Sequence, residues 1–208
     1  MTDFNHIKRR LSNLVENRNY FFRNTPKIDA EKYLANKINF IGMTNSEIEN
    51  IENQIGNTFP IDFRQYLLEF GKNCGELFCN GEDLEPSNIV EYQKWARELE
   101  KEQNSDSFLT PNSIVFFFHQ GYSFYYFEKV DDDYLVYLYV EGDSKPTKKF
   151  ESFSEMLENE LSLMEEINKR GQESDGHFMT IYEGSEHIEF PAKSSGVIPR
   201  KVGDKFRF

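Results

Sequence analysis

Apolar residues recur three and four positions apart between residues 44 and 70, and lie two apart or in unbroken runs between 113 and 140. The first spacing marks amphipathic helices and the second marks strands. Thr44-Asn45-Ser46-Glu47 has the composition of a capping box, in which the Thr hydroxyl and the Glu carboxylate each satisfy a backbone amide of the other residue. Ile48, Ile51 and Ile55 then share one face, and Gly56 suits the left-handed residue that ends a helix. Pro60 fits the first turn of a second helix, where its missing N–H costs nothing. Phe63, Tyr66, Leu67 and Phe70 follow at i, i+3, i+4 and i+7, with Gly71 as the expected stop. The pattern predicts a helical hairpin whose apolar faces need a cover.

Beyond Gly75 the pattern changes. Residues 76–79 read as a short strand before an Asn80-Gly81 turn, and 91–103 as a polar helix with Tyr92, Trp95, Ala96 and Leu99 in a narrow apolar stripe. Residues 113–118, 122–128 and 134–140 are rich in β-branched and aromatic side chains, as strands are. The links between them, His119-Gln120-Gly121 and Asp131-Asp132-Asp133, are too short for parallel crossovers, so an antiparallel meander is expected. A brief strand at 148–150 precedes a last helix that starts at Ser152-Phe153-Ser154-Glu155. Phe153, Met156, Leu157, Leu161 and Met164 mark its buried face, and Gly171 its expected end. Helices, then a meander, then a helix make the fold class α+β, with the helices packed on the sheet.

Composition changes this picture in two ways. Phe alone contributes 20 residues and aromatics make 15% of the chain, so the core is expected to be built of rings. Leu, Ile, Val and Phe together make about a quarter of the residues, above the ~20% at which a charged chain stays disordered, so the chain folds despite a mean hydropathy of −0.68. The net charge is −12 and it is unevenly spread. Residues 1–43 carry 8 basic and 4 acidic side chains, residues 44–170 carry 11 and 26, and residues 171–208 carry 5 and 6. The chain is therefore divided into a helical N-terminal extension (1–43), an acidic domain (44–170) and a C-terminal extension (171–208). Acidity argues against nucleic-acid binding, which needs clustered Lys and Arg. No apolar run reaches the ~20 residues of a membrane span, nor does the N-terminal stretch resemble a secretory signal, so a cytoplasmic protein is expected.

Candidate chemistry is sparse. His119, flanked by aromatic strands and a glycine turn, is the best-placed histidine for general base catalysis, but no partner is evident to orient it. Asp131-Asp132-Asp133 offers hard oxygen ligands, yet lacks the glycine and distal glutamate of a calcium loop. Cys74 and Cys79 have no second pair with which to make a zinc site. Exposed strand aromatics could stack on bases; without basic residues around them, core packing or a protein-binding patch is favoured. Lys8-Arg9-Arg10, the one basic cluster, reads as the solvated face of a helix. No catalytic residue, metal site or cofactor is expected.

The order of these pieces resembles a known family. TNSEIENIENQIGNTFPIDFRQYLLEFG is similar to the opening of the SUKH superfamily, the SMI/KNR-like proteins: a capped helix, then an apolar-Pro-x-aromatic step into a second helix ending at glycine. SIVFFFHQGYSFYYFEKVDDDYLVYLYVEGDSKPTKKFESFSEMLENEL resembles the second half of that domain. The chain departs from the usual pattern in FGKNCG, where many members have adjacent glycines, and in the longer, more charged stretch 91–108. The resemblance implies a non-catalytic immunity protein that neutralises a cognate toxin domain, often a nuclease or deaminase, in a bacterial polymorphic toxin system. A regulatory or scaffold module is the other role known among such proteins. An acidic surface is compatible with a basic toxin as partner. The acidic clusters Glu82, Asp83, Glu85 and Asp131, Asp132, Asp133 are the expected partner-binding residues.

Overall fold

In a computed structural model, residues 2–16, 27–78, 84–103, 107–173, 178–183, 186–191, 200–202 and 205–207 are described. The capping box forms as the sequence predicts. The Glu47 N–H donates to Thr44 Oγ1 at 3.3 Å, and the Thr44 N–H donates to the Glu47 carboxylate at 2.8 Å. Helix α3, Asn45–Ile55, starts there and ends at Gly56, whose φ of 70° is the left-handed conformation a glycine adopts without strain. Before it lie α1, Phe4–Glu16, and α2, Lys27–Lys37. Pro60 precedes α4, Ile61–Phe70, and all four predicted apolar positions of α4 are buried.

Gly71 ends α4 for a different reason from the one expected. Its φ is −64°, open to any residue, but a Cβ there would lie 2.6 Å from Met43 Cγ and 2.5 Å from the Leu67 carbonyl oxygen. Close passage of the 42–43 segment over the helix, not a left-handed turn, requires glycine. The strand expected at 76–79 is also absent from residues 75–78, which form a turn with Phe78 at φ 56°. Leu77 and Phe78 are successive and both buried, a pattern that a half-exposed strand does not produce. Cys79 lies outside the described residues; Cys74 donates its thiol to the Leu77 carbonyl at 3.2 Å.

Helix α5, Ile89–Gln103, leads to a four-stranded antiparallel sheet made of β1 (Ile114–His119), β2 (Ser123–Val130), β3 (Asp133–Val140) and β4 (Thr147–Phe150), in the order β1-β2-β3-β4. The meander is thus present, and the fold is α+β. Helix α6, Phe153–Glu173, runs through Gly171, where a stop was expected; one glycine costs a helix only about 1 kcal/mol. Two hairpins follow, β5 (Phe178–Glu183) with β6 (Glu186–Pro191), and β7 (Arg200–Val202) with β8 (Lys205–Arg207).

The core is aromatic, as the composition predicts. Phe63 of α4 lies at its centre, with ring centroids of Phe59, Phe116, Phe127 and Phe153 between 4.9 and 5.3 Å away. The β1–β2 register shifts between Val115 and Phe117, so Phe116 is an inserted residue. That bulge brings Phe116 into stacking on Phe127 at 4.1 Å and leaves Phe117 facing Phe78. On the opposite sheet face, Phe124, Tyr126 and Tyr139 are buried under Phe108. The carboxylate of Glu100, itself only 4% exposed, fixes that cover by accepting the Phe108 and Leu109 N–H groups at 2.6 and 2.7 Å. Burial also pushes the Tyr126 hydroxyl well above its ordinary pKa. The rings at the centre of both sets are buried, while Tyr122 at the β1–β2 turn is 39% exposed.

Helix α1 docks on this core. Ile7, Leu11, Leu14 and Val15 are buried, and Phe4 meets Phe70. The cations expected on a solvated face are mostly paired instead. Lys8 meets Glu69 at 2.5 Å and lies over the Phe70 ring, while Arg10 grips Glu165 through two bonds of 2.7 and 2.8 Å and also reaches Glu158. Arg10 hydrogen bonding holds the Glu165 carboxyl below its usual pKa.

Candidate binding surface

Helix α5 lies along β1, an edge strand of the sheet. The Gln93 carboxamide engages the outward backbone of Val115, accepting its N–H at 3.0 Å and donating to its carbonyl. Side-chain bonding of this kind covers an edge that would otherwise pair with another chain. It also fixes the rotation of α5 about its axis. Tyr92 and Ala96 then turn inward and are buried, while Trp95 turns to the rim and remains 41% exposed. The expected apolar stripe is therefore split: its tryptophan belongs to the surface.

Trp95 forms one wall of a groove between α5 and the β1–β2 turn. Its indole is held edge-on to Phe118 at 5.9 Å and tilted on Tyr92 at 5.7 Å. Glu98 and Glu102, three and seven positions on, share that face, and Glu85 closes the near end. Gln120 and Gly121 form the opposite lip, and the space enclosed is about 690 Å³. None of the lining residues is Lys or Arg. Glu85 accepts the Ser87 hydroxyl; Glu98 and Glu102 have no hydrogen bond or ion pair among the described residues.

A second groove of similar volume lies at the far end of the sheet. It holds Ile61, 77% exposed, among Asp62, Asp132, Asp133 and Glu151. Asp62 is engaged: its carboxylate accepts the Ser154 N–H at 2.8 Å and the Ser154 hydroxyl at 3.0 Å. A third concavity, near Gly56, includes Lys129 and so mixes charges.

The expected partner-binding residues divide between these places. Glu85 is at the Trp95 groove. Asp132 and Asp133 are at the Ile61 groove, with Asp133 already in β3, while Asp131 sits in the turn at φ 57°, a conformation aspartate tolerates. Glu82 and Asp83 lie outside the described residues. The eight residues of β2 put roughly 24 Å between the two turns, so Glu85 and the aspartates do not make one patch. Sequence reasoning missed Trp95, Glu98 and Glu102 as site residues. The signal was present in WARELEKE, where acids follow the tryptophan at helical spacing.

Catalytic geometry is sparse as well. His119 is half-buried, its ring edge-on to Tyr122 at 5.3 Å and its Nδ1 buried without a hydrogen-bond partner. The groove beside it is lined by Phe118, Gln120 and Gly121, its neighbours, and not by His119. No carboxylate orients the ring among the described residues. Nor does any group of three or more His, Cys, Asp or Glu among them have an arrangement that could hold a metal ion. No described helix is long and apolar enough to cross a membrane.

Comparison with known proteins adds one finding. The family described as SMI1 / KNR4 family (SUKH-1) matches residues 42–159, more than half of the chain. That interval begins at the crossing over α4 and ends within α6, so it includes the whole lining of the Trp95 groove and all but Thr2 of the Ile61 groove, and leaves α1 outside. No curated protein matches the chain.

Proposed function

The chain belongs to the SMI1 / KNR4 family (SUKH-1), and from that premise we propose that it is a non-catalytic immunity protein that binds and neutralises a basic toxin domain. The observation that carries the reading is the coincidence of family and charge: the matched interval contains nearly all of the acidic excess and both acidic, aromatic-walled grooves. A nuclease toxin presents cations to its nucleic-acid substrate, so an acidic inhibitor competes for the same surface. Complementary fields raise the association rate and disfavour wrong partners. An open groove with an exposed ring suits protein contact, because partly exposed tryptophans beside apolar pockets are frequent energetic centres of interfaces.

The test is protection. A toxin domain encoded beside this gene is expressed in cells with and without the chain, and the purified pair is examined for a complex. The reading expects survival only with the chain and a complex stable to purification. Death in both cultures, with no complex, refutes it; capture of a housekeeping or envelope protein instead would point to a regulatory module.

A further inference from the structure

The two grooves differ in what their charges already do. At the Ile61 groove two of the four carboxylates are committed, Asp62 to Ser154 and Glu151 to Lys148 at 2.6 Å, while Asp132 and Asp133 have no indole in the lining beside them. At the Trp95 groove, Glu98 and Glu102 face solvent beside an indole, and neither has an ion-pair partner among the described residues, although Lys94 and Lys101 lie on the same helix. Elsewhere this protein shows how it treats such a juxtaposition internally: Lys8 lies over the Phe70 ring at 5.4 Å while bonding Glu69. An aromatic face and a carboxylate together hold a cation there. The Trp95 groove repeats that pairing of groups with no Lys or Arg in its lining.

We propose that the Trp95 groove receives an arginine side chain from a protein partner, its guanidinium laid on the indole and shared between Glu98 and Glu102. Arginine fits better than lysine on chemical grounds. Its planar group stacks on an aromatic face while its edge N–H groups still point outward to carboxylates. A lysine ammonium is more strongly hydrated and cannot present a flat face. The indole is already fixed by Phe118 and Tyr92, so little side-chain freedom is lost on binding. The inference rests on the reading of the chain as a partner-binding protein, and it commits that reading to one groove.

Trp95 is the sole tryptophan, so its emission reports on this groove alone. The full chain is titrated with an amidated tetra-arginine peptide, and separately with tetra-lysine, at about 0.1 M salt. Expected is a saturable change in Trp95 emission, with arginine at least threefold tighter than lysine, and at least tenfold weaker binding in Glu98→Gln/Glu102→Gln. Calorimetry on Trp95→Ala, with folding verified by circular dichroism, is expected to show the same tenfold loss. No saturable change with tetra-arginine, equal response to lysine, or undiminished binding in either variant overturns the proposal. Failure here is separable from failure of the immunity role. Protection that survives without any peptide response condemns the groove alone, whereas a peptide response without protection condemns the immunity role alone.

Discussion

The two sides of the sheet use the same residue types to opposite ends. Where α1 meets α6, glutamates are spent inside the protein: Glu165 and Glu158 hold Arg10, and Glu69 holds Lys8. Along α5, Glu98 and Glu102 point to solvent without an ion pair among the described residues, and the ring beside them is 41% exposed. Acidity is therefore not one property of the chain. On one side it docks a helix, and on the other it is left for something outside. The net charge of residues 44–170 conceals this, because a count does not distinguish a satisfied carboxylate from an unsatisfied one.

The largest effect expected of breaking this contrast lies in the core that both sides share. Phe63→Ala removes the central ring and should cost about 3–5 kcal/mol in urea unfolding, as truncation of a buried Phe does. Trp95→Ala, by contrast, should cost clearly less, about 1–2 kcal/mol, since only part of the side chain is buried. If the two variants are equally destabilised, Trp95 belongs to the core and the groove loses its meaning.

Next in size is the electrostatic effect on association. Glu98→Gln/Glu102→Gln should slow association with a basic toxin domain roughly tenfold at low salt, with a much smaller difference at 0.5 M, where screening shortens the field to a few ångströms. Stability should move by no more than about 0.5 kcal/mol, as for other exposed substitutions. Stopped-flow association and equilibrium unfolding read the two separately.

Arg10→Ala tests the other side. It should cost on the order of 1 kcal/mol, as the loss of a part-exposed but multiply bonded cation, and leave toxin association unchanged. The same contact carries a pH dependence. Arg10 lowers the Glu165 pKa in the folded protein, so the unfolded chain, titrating near ~4.3, takes up that proton first on acidification. The stabilisation is complete above that range and is lost as the pH falls through the lowered folded value. Amide protection factors in α1, corrected for the intrinsic exchange rate at each pH, should therefore fall on acidification in wild type, and less so in Arg10→Ala.

The effect at the cap is of similar size. Thr44→Ala should cost about 1 kcal/mol by loss of the hydroxyl acceptor. The same site shows why charge alone misleads: Glu47 is exposed, yet Lys72 and the Thr44 N–H draw its carboxyl down to about 2.

Much of the fold was legible because it obeys local rules. The capped α3, the four inward residues of α4 and the short turns of the meander each follow from spacing within a dozen residues. What was not legible depends on remote neighbours. Gly71 answers to Met43, which crosses over the helix end, and no local pattern announces that. Residues 77 and 78 are both buried because a turn, not a strand, delivers them. The site was harder still. Tyr92, Trp95, Ala96 and Leu99 look equivalent on a helical wheel, and it takes the docking of α5 on the sheet, with Tyr92 and Ala96 buried and Gln93 bonded to the edge of β1, to turn Trp95 to the rim. The basic cluster at 8–10 was read as solvated because its partners, Glu69, Glu158 and Glu165, lie 61 to 155 positions away.

The most direct test of the account is a stoichiometric titration of the purified toxin domain with the full chain, following residual toxin activity. A neutralising partner predicts a linear fall to zero that ends at a fixed whole-number molar ratio. It also predicts recovery of active toxin when the complex is separated under denaturing conditions and the toxin refolded. Complete inactivation by a small fraction of an equivalent, or a toxin that stays inactive after separation, would mean the chain acts by turnover and would contradict the account.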